Sequence, residues 1–286
     1  MPTTSGHRPV VYGASSVRPL DPALLAAVEL RPPVRRGDLT ALKQRQPGVV
    51  VLIDGLFGAT MAVTPTECRD LLDAGWTVVG CSSMGALRAA DLWPLGMIGI
   101  GDIYTLFRLG TLTSDADVAV ALSPEDDHGE LTVSTVHLRA ILQAALSDGT
   151  VTAALRERMA RRAEDIYWLE RSWAACRAAW RTDGIPSAAI ESVLRLGRDA
   201  RLHPKVRDAE TTLRSVLAQT WPGTSYAPAG TGALREAEHT AEAVGDSVQP
   251  VQRVQPVRRC AACQARLAGD ALFCPTCVSE AHETCL

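Results

Sequence analysis

Between Gly48 and Trp93 the chain alternates two kinds of segment, and this alternation constrains its fold more than any other feature. GVVVLIDG (48–55) and WTVVG (76–80) are short, continuous apolar runs of the kind strands show when both faces of their sheet are buried. TPTECRDLLDAG (64–75), between them, has helical spacing, with Thr64 or Thr66 placed to cap its start and Gly75 to end it. A second helical stretch, MGALRAADLW, follows the second strand and stops at Pro94. An earlier run, PVVYG (9–13), reads as a further buried strand. Neighbouring strands joined through a helix run parallel, since a crossover returns the chain to the edge where it began. The expectation is an α/β, Rossmann-like domain over residues 1–128, its parallel sheet covered on both faces.

From Thr132 to Thr220 the pattern is helical almost throughout, with Trp, Tyr and Leu recurring at three and four. Residues 129–221 are therefore expected to form a helical region packed on the core. Residues 222–256 shift to Pro, Gly, Ala and Gln with little apolar weight, the composition of a flexible linker. A net charge of −3 supplies no general attraction to nucleic acid or to an anionic membrane, so neither is an expected partner. No apolar stretch reaches the ~18 residues of a membrane span. The opening MPTTSGHRPVVYG lacks the charged and apolar regions of a secretory signal, and a cytoplasmic location is expected.

Four of the eight cysteines fall in CAACQARLAGDALFCPTC, as Cys260-x2-Cys263, ten residues, then Cys274-x2-Cys277. Each Cys-x2-Cys turns two sulfurs toward one point, and two such knuckles supply the four thiolates of a structural Zn²⁺ site. A small zinc ribbon is expected over residues 257–286, folding on its metal. Four bound thiolates leave no open position, so its role would be structural or in docking. No cofactor is expected in the core.

The bend CSSMG (81–85) carries the chemistry-bearing question. Strand, bend and helix follow the order of a nucleophile elbow centred on Ser83, where flanking residues must be small. The amides of Met84 and Gly85 would open the helix, and an oxyanion or carboxylate would find donors there. Three readings stay open: a serine nucleophile, an anion-binding turn, and tight packing. No histidine marks itself as the base; His128 is the best placed, while His137 and His203 read as helix-face residues. Open parallel sheets bind ligands beyond the carboxyl ends of their strands. Those ends carry Ser15 and Ser16, Asp54 and Gly55, and Ser82 and Ser83; if the three strands are neighbours, hydroxyls, a carboxylate and amides converge on one crevice. Arg88 either pairs with an anionic ligand or with Asp91. Asp54 is either a base or orienting group, or the cap of an Asp-Gly turn.

The segments PPVRRGDL, VVVLIDGLFG, VVGCSSMGALRAADLWPLGMIGIGDIY, FRLGTLTSDADVAV and YWLERSW together resemble the TfuA-like family, in family order, over roughly residues 9 to 175. The resemblance implies a partner of a YcaO cyclodehydratase in making peptide backbone thioamides during ribosomal natural-product biosynthesis. It implies that a ThiS-like sulfur carrier is hydrolysed at its C-terminal thiocarboxylate and that sulfide passes to YcaO; a precursor peptide is a further implied partner. On that reading Ser83, Arg88 and Asp54 are the catalytic candidates. Ser15, Gly55, Ser82, Met84 and Gly85 would bind the anion, and Gly99 and Gly101 would shape the channel for the carrier tail. Val63 and Thr64 stand where the family has an aromatic residue and a histidine, which takes a histidine in that loop out of the chemistry. Two alternatives are a scaffold that docks and activates YcaO without chemistry of its own, and a generic serine hydrolase.

Overall fold

The computed structural model describes residues 8–58, 61–123 and 129–220, all within one compact unit. In chain order the first half contains β1 (Val10–Tyr12), α1 (Pro22–Ala26), β2 (Glu29–Arg31), α2 (Asp38–Leu42), β3 (Val49–Leu52), α3 (Pro65–Asp73), β4 (Thr77–Gly80), α4 (Met84–Leu92), β5 (Ile98–Gly99) and α5 (Asp102–Arg108). The second half is helical: α6 (Thr135–Ser147), α7 (Ala153–Glu164), α8 (Trp173–Thr182), α9 (Ser187–Leu196) and α10 (Pro204–Leu217). All strand pairs are parallel, in the order β2-β1-β3-β4-β5. The expected α/β architecture with a parallel sheet is what the chain forms. The linker and the four zinc-site cysteines lie outside the described residues.

Alternation along the strands feeds two cores. Val10, Tyr12, Val50, Leu52 and Val78 face one side, where they meet Leu39 and Leu42 of α2, Leu71 of α3, and Met84 and Ala89 of α4. Val11, Val51, Ile53, Val79 and Cys81 face the other, against Val17, Leu20 and the Val206, Ala209, Leu213 and Val216 stripe of α10. The last described helix thus completes the layer that the first strands begin. Helices α6 to α9 form a third core that buries Trp180 completely, and its indole Nε1 donates to Met159 O at 2.8 Å.

Local signals decide where elements begin. Thr64, not Thr66, caps α3: its hydroxyl accepts from Glu67 N at 3.1 Å, and the Glu67 carboxylate accepts from Thr64 N at 3.0 Å. The hydroxyls of Ser134, Thr152 and Ser172 cap α6, α7 and α8 by accepting from His137 N, Leu155 N and Ala175 N, without a reciprocal carboxylate. β2 and β5 were not expected. They are two- and three-residue edge strands, and the single apolar residue of β2, Leu30, is exposed, so neither carries the apolar run that marks β3 and β4. Among the described residues no helix is long and apolar enough to cross a membrane.

Candidate functional site

Because β3 lies between β1 and β4, the loops leaving these three strands are neighbours, which meets the condition for the strand ends to converge. Asp54, after β3, is 5% exposed and spends its carboxylate on the loop after β1. It accepts from Ala14 N at 2.8 Å, Ser16 N at 3.1 Å and Ser16 Oγ at 2.6 Å. It acts as the clamp that shapes that loop and aims Ser15.

The bend after β4 is governed by close packing. A Cβ on Gly85 would lie 1.7 Å from Leu52 O, and one on Gly80 would lie 2.1 Å from Gly85 O, so only glycine lets α4 cross the sheet this tightly. A Cβ on Gly55 would strike Met84 at 2.7 Å. The amides of Ser83 and Gly85 both donate to Ile53 O, at 3.2 and 3.3 Å, which occupies donors an anion would need. The strained residue is Ser82 rather than Ser83: at φ 68° it sits in the left-handed region, and its buried hydroxyl donates to Lys205 O at 2.6 Å. Met84 is part of the apolar core. Arg88 donates to Val63 O at 2.9 Å and to Asp91 at 3.1 Å. Gly99 packs against the Tyr104 ring, and Gly101, at φ 106°, leaves room for the Asp208 carboxylate that accepts from Asp102 N and Ile103 N.

Ser15 leads elsewhere. Its hydroxyl donates to Glu130 Oε1 at 3.0 Å, and the Lys205 ammonium, 1% exposed, donates to the same oxygen at 3.1 Å. The other oxygen of Glu130 lies 3.3 Å from His203 Nε2. The His137 ring lies against the His203 ring, centroids 3.8 Å apart, and the Trp173 ring meets His137 edge-on. A cavity of about 240 Å³ opens onto this cluster, lined among others by Ser15, Arg18, Glu130, His137, Trp173 and His203. Of the site residues expected from sequence, Ser15 reaches it; Ser82 and Asp54 support it from behind, through the Lys205 backbone and the loop after β1. Ser83, Arg88, Gly55, Met84, Gly85, Gly99 and Gly101 do not line it.

Burial alone would raise the Glu130 carboxyl, but the Lys205 ammonium and then His203 hold it well below the usual carboxylate range. His137 is pushed down to about 3, first by burial and then by the neighbouring His203, so its imidazole is neutral at neutral pH. The cluster therefore offers an anion-pairing ammonium, a hydroxyl and a carboxylate that gives up a proton readily, beside a neutral imidazole. That set suits acyl transfer to a hydroxyl or to water.

Sequence reasoning missed Glu130, His137, His203 and Lys205. One signal was available: the chain uses arginine almost everywhere, and Lys205 is one of only two lysines. A compact ammonium on a flexible stem is suited to a buried reactive position in a way guanidinium is not.

No curated protein matches the chain. The family model described as TfuA-like protein matches residues 54–172, a span that includes Glu130, His137 and the bend after β4. Across residues 54–172, then, the chain is similar to the TfuA-like family.

Proposed function

We propose that the protein hydrolyses the C-terminal thiocarboxylate of a ThiS-like sulfur carrier and supplies sulfide to a YcaO partner for peptide backbone thioamidation in ribosomal natural-product biosynthesis. Similarity to the family supports a role in the TfuA/YcaO system. The observation that carries the hydrolase reading is Ser15 and Lys205 on one oxygen of half-buried Glu130, which lines a cavity.

The chemistry follows from those positions. The thiocarboxylate is an anion at the end of a slender tail, and Lys205 and Arg18 favour it there. The Ser15 hydroxyl attacks the acyl carbon, the carbon–sulfur bond breaks to leave an ester, and the departing sulfur carries off the hydroxyl proton, relayed by Glu130, as hydrosulfide. Glu130 holds protons weakly and so passes this one on. Water then cleaves the ester, returning the hydroxyl and giving the carboxylate and a proton. Asp54 and Ser82 position the two reacting arms through the loop after β1 and the Lys205 backbone. The cysteines Cys260, Cys263, Cys274 and Cys277 would hold one structural zinc ion in a module suited to docking the carrier, YcaO or the precursor peptide.

The test incubates thiocarboxylated carrier with the protein alone and follows carrier mass and free sulfide. Conversion to carboxylate is expected, with Ser15→Ala and Lys205→Met each lowering the rate by about 10²-fold or more. Unchanged carrier with the native protein would sink the hydrolase reading and leave the scaffold.

A further inference from the structure

Two buried nitrogens in the cluster do no work in the reaction just described. His137 Nε2 and His203 Nδ1 are shielded from solvent and bond to nothing among the described residues. His137 is only 5% exposed, so water does not satisfy it from outside. Buried polar atoms without partners are rare because each forfeits its hydration. A site that carries two of them in touching rings is shaped for a guest.

The ligand atoms of Glu130, His137 and His203 lie within 4.8 Å of one another. Metal–nitrogen and metal–oxygen bonds of ~2.0–2.2 Å bring such a set onto one ion after small side-chain rotations. We propose that Glu130, His137 and His203 bind one divalent transition-metal ion of the zinc class at the edge of the cavity. Two imidazoles and one carboxylate are a three-ligand set, and the fourth position faces the cavity, where a sulfur or oxygen of the substrate would sit.

The surroundings narrow the choice of ion. Lys205 and Ser15 both occupy Oε1 of Glu130, which leaves Oε2, now 3.3 Å from His203, as the carboxylate donor. Binding through Oε2 and the two unpartnered ring nitrogens leaves the Ser15–Lys205 arrangement in place. Because the Lys205 ammonium already offsets the charge of Glu130, hard cations such as Mg²⁺ and Ca²⁺ gain little. Imidazole nitrogens favour Zn²⁺, Co²⁺ and Ni²⁺ instead. The site departs from the sequence expectation of a core without a cofactor. It shares its cavity with the hydrolase reading but stands without it.

Co²⁺ titration of the metal-stripped, full-length protein tests this. Thiolate-bound Co²⁺ at the four C-terminal cysteines gives an intense sulfur-to-metal band in the near ultraviolet. Nitrogen- and oxygen-bound Co²⁺ gives only weak visible bands. The expected result is one equivalent of the second kind, displaced by Zn²⁺ but not by Mg²⁺ or Ca²⁺. It is lost in the His137→Gln/His203→Gln double variant, while any thiolate band is unchanged. If every equivalent bound by the native protein carries the thiolate band, the proposal is wrong; that measurement needs no variant to fold. Retention of the weak-band equivalent in a double variant of native far-ultraviolet circular dichroism overturns it too. Thiocarboxylate turnover by the metal-stripped protein is read separately, so the metal site and the hydrolase reading can each fail alone.

Discussion

Single residues in this protein show how environment sets chemistry. His137 and His203 are ordinary helix-region histidines in sequence, yet burial and mutual contact make His137 a neutral base whose pKa falls to about 3. That shift has a consequence for stability. The unfolded imidazole takes up a proton near 6.5 and the folded one only near 3, so between these values the unfolded state binds more protons. Stability from His137 is present above 6.5 and is lost as pH falls. At up to about 1.4 kcal/mol per pH unit, with the unfolded imidazole half protonated at the start, roughly 2 kcal/mol goes between pH 6.5 and 4.5. In urea titrations with chelator present, the native protein should lose about that much more over this interval than His137→Gln. Equal losses would mean the imidazole is not held neutral. Ser82 is the complementary case: its left-handed backbone strains a non-glycine residue, and the hydroxyl bond to Lys205 O makes the strain tolerable.

At the scale of elements, the contact between β4 and α4 explains the glycines of the bend without invoking a ligand. Gly80 and Gly85 let the helix approach the Leu52 carbonyl, and the amides of Ser83 and Gly85 turn to Ile53 O. If packing is their role, Gly85→Ala destabilises the fold by at least about 3 kcal/mol, the upper end of overpacking costs, measured by chemical denaturation. An anion-hole role would instead lower turnover and leave the denaturation midpoint in place. Strands β1, β3 and β4, helices α3 and α4, and the helical second half were legible in apolar runs, caps and periodicity. β2 and β5 were not, because an edge strand buries too little to need an apolar run.

For the whole molecule, α10 is the element that joins the two halves. Its apolar stripe covers the second face of the sheet, and its first turn delivers His203 and Lys205 to the loops after β1 and β4. Leu213→Ala at the centre of that stripe should cost about 2–5 kcal/mol in global stability by denaturation. A loss below 0.5 kcal/mol would show that the sheet does not depend on α10. Of the candidate site, the strand ends carrying Ser15, Asp54 and Ser82 were legible in the sequence, but that they meet depends on the strand order, which the sheet decides. The partners of Ser15 were not, since Glu130 lies 115 residues away in the chain and Lys205 a further 75. Periodicity and capping act within a few residues and so write the elements into the chain directly. Which buried charge meets which depends on desolvation and packing between elements distant in sequence, and that pairing exists only once α10 has closed over the sheet.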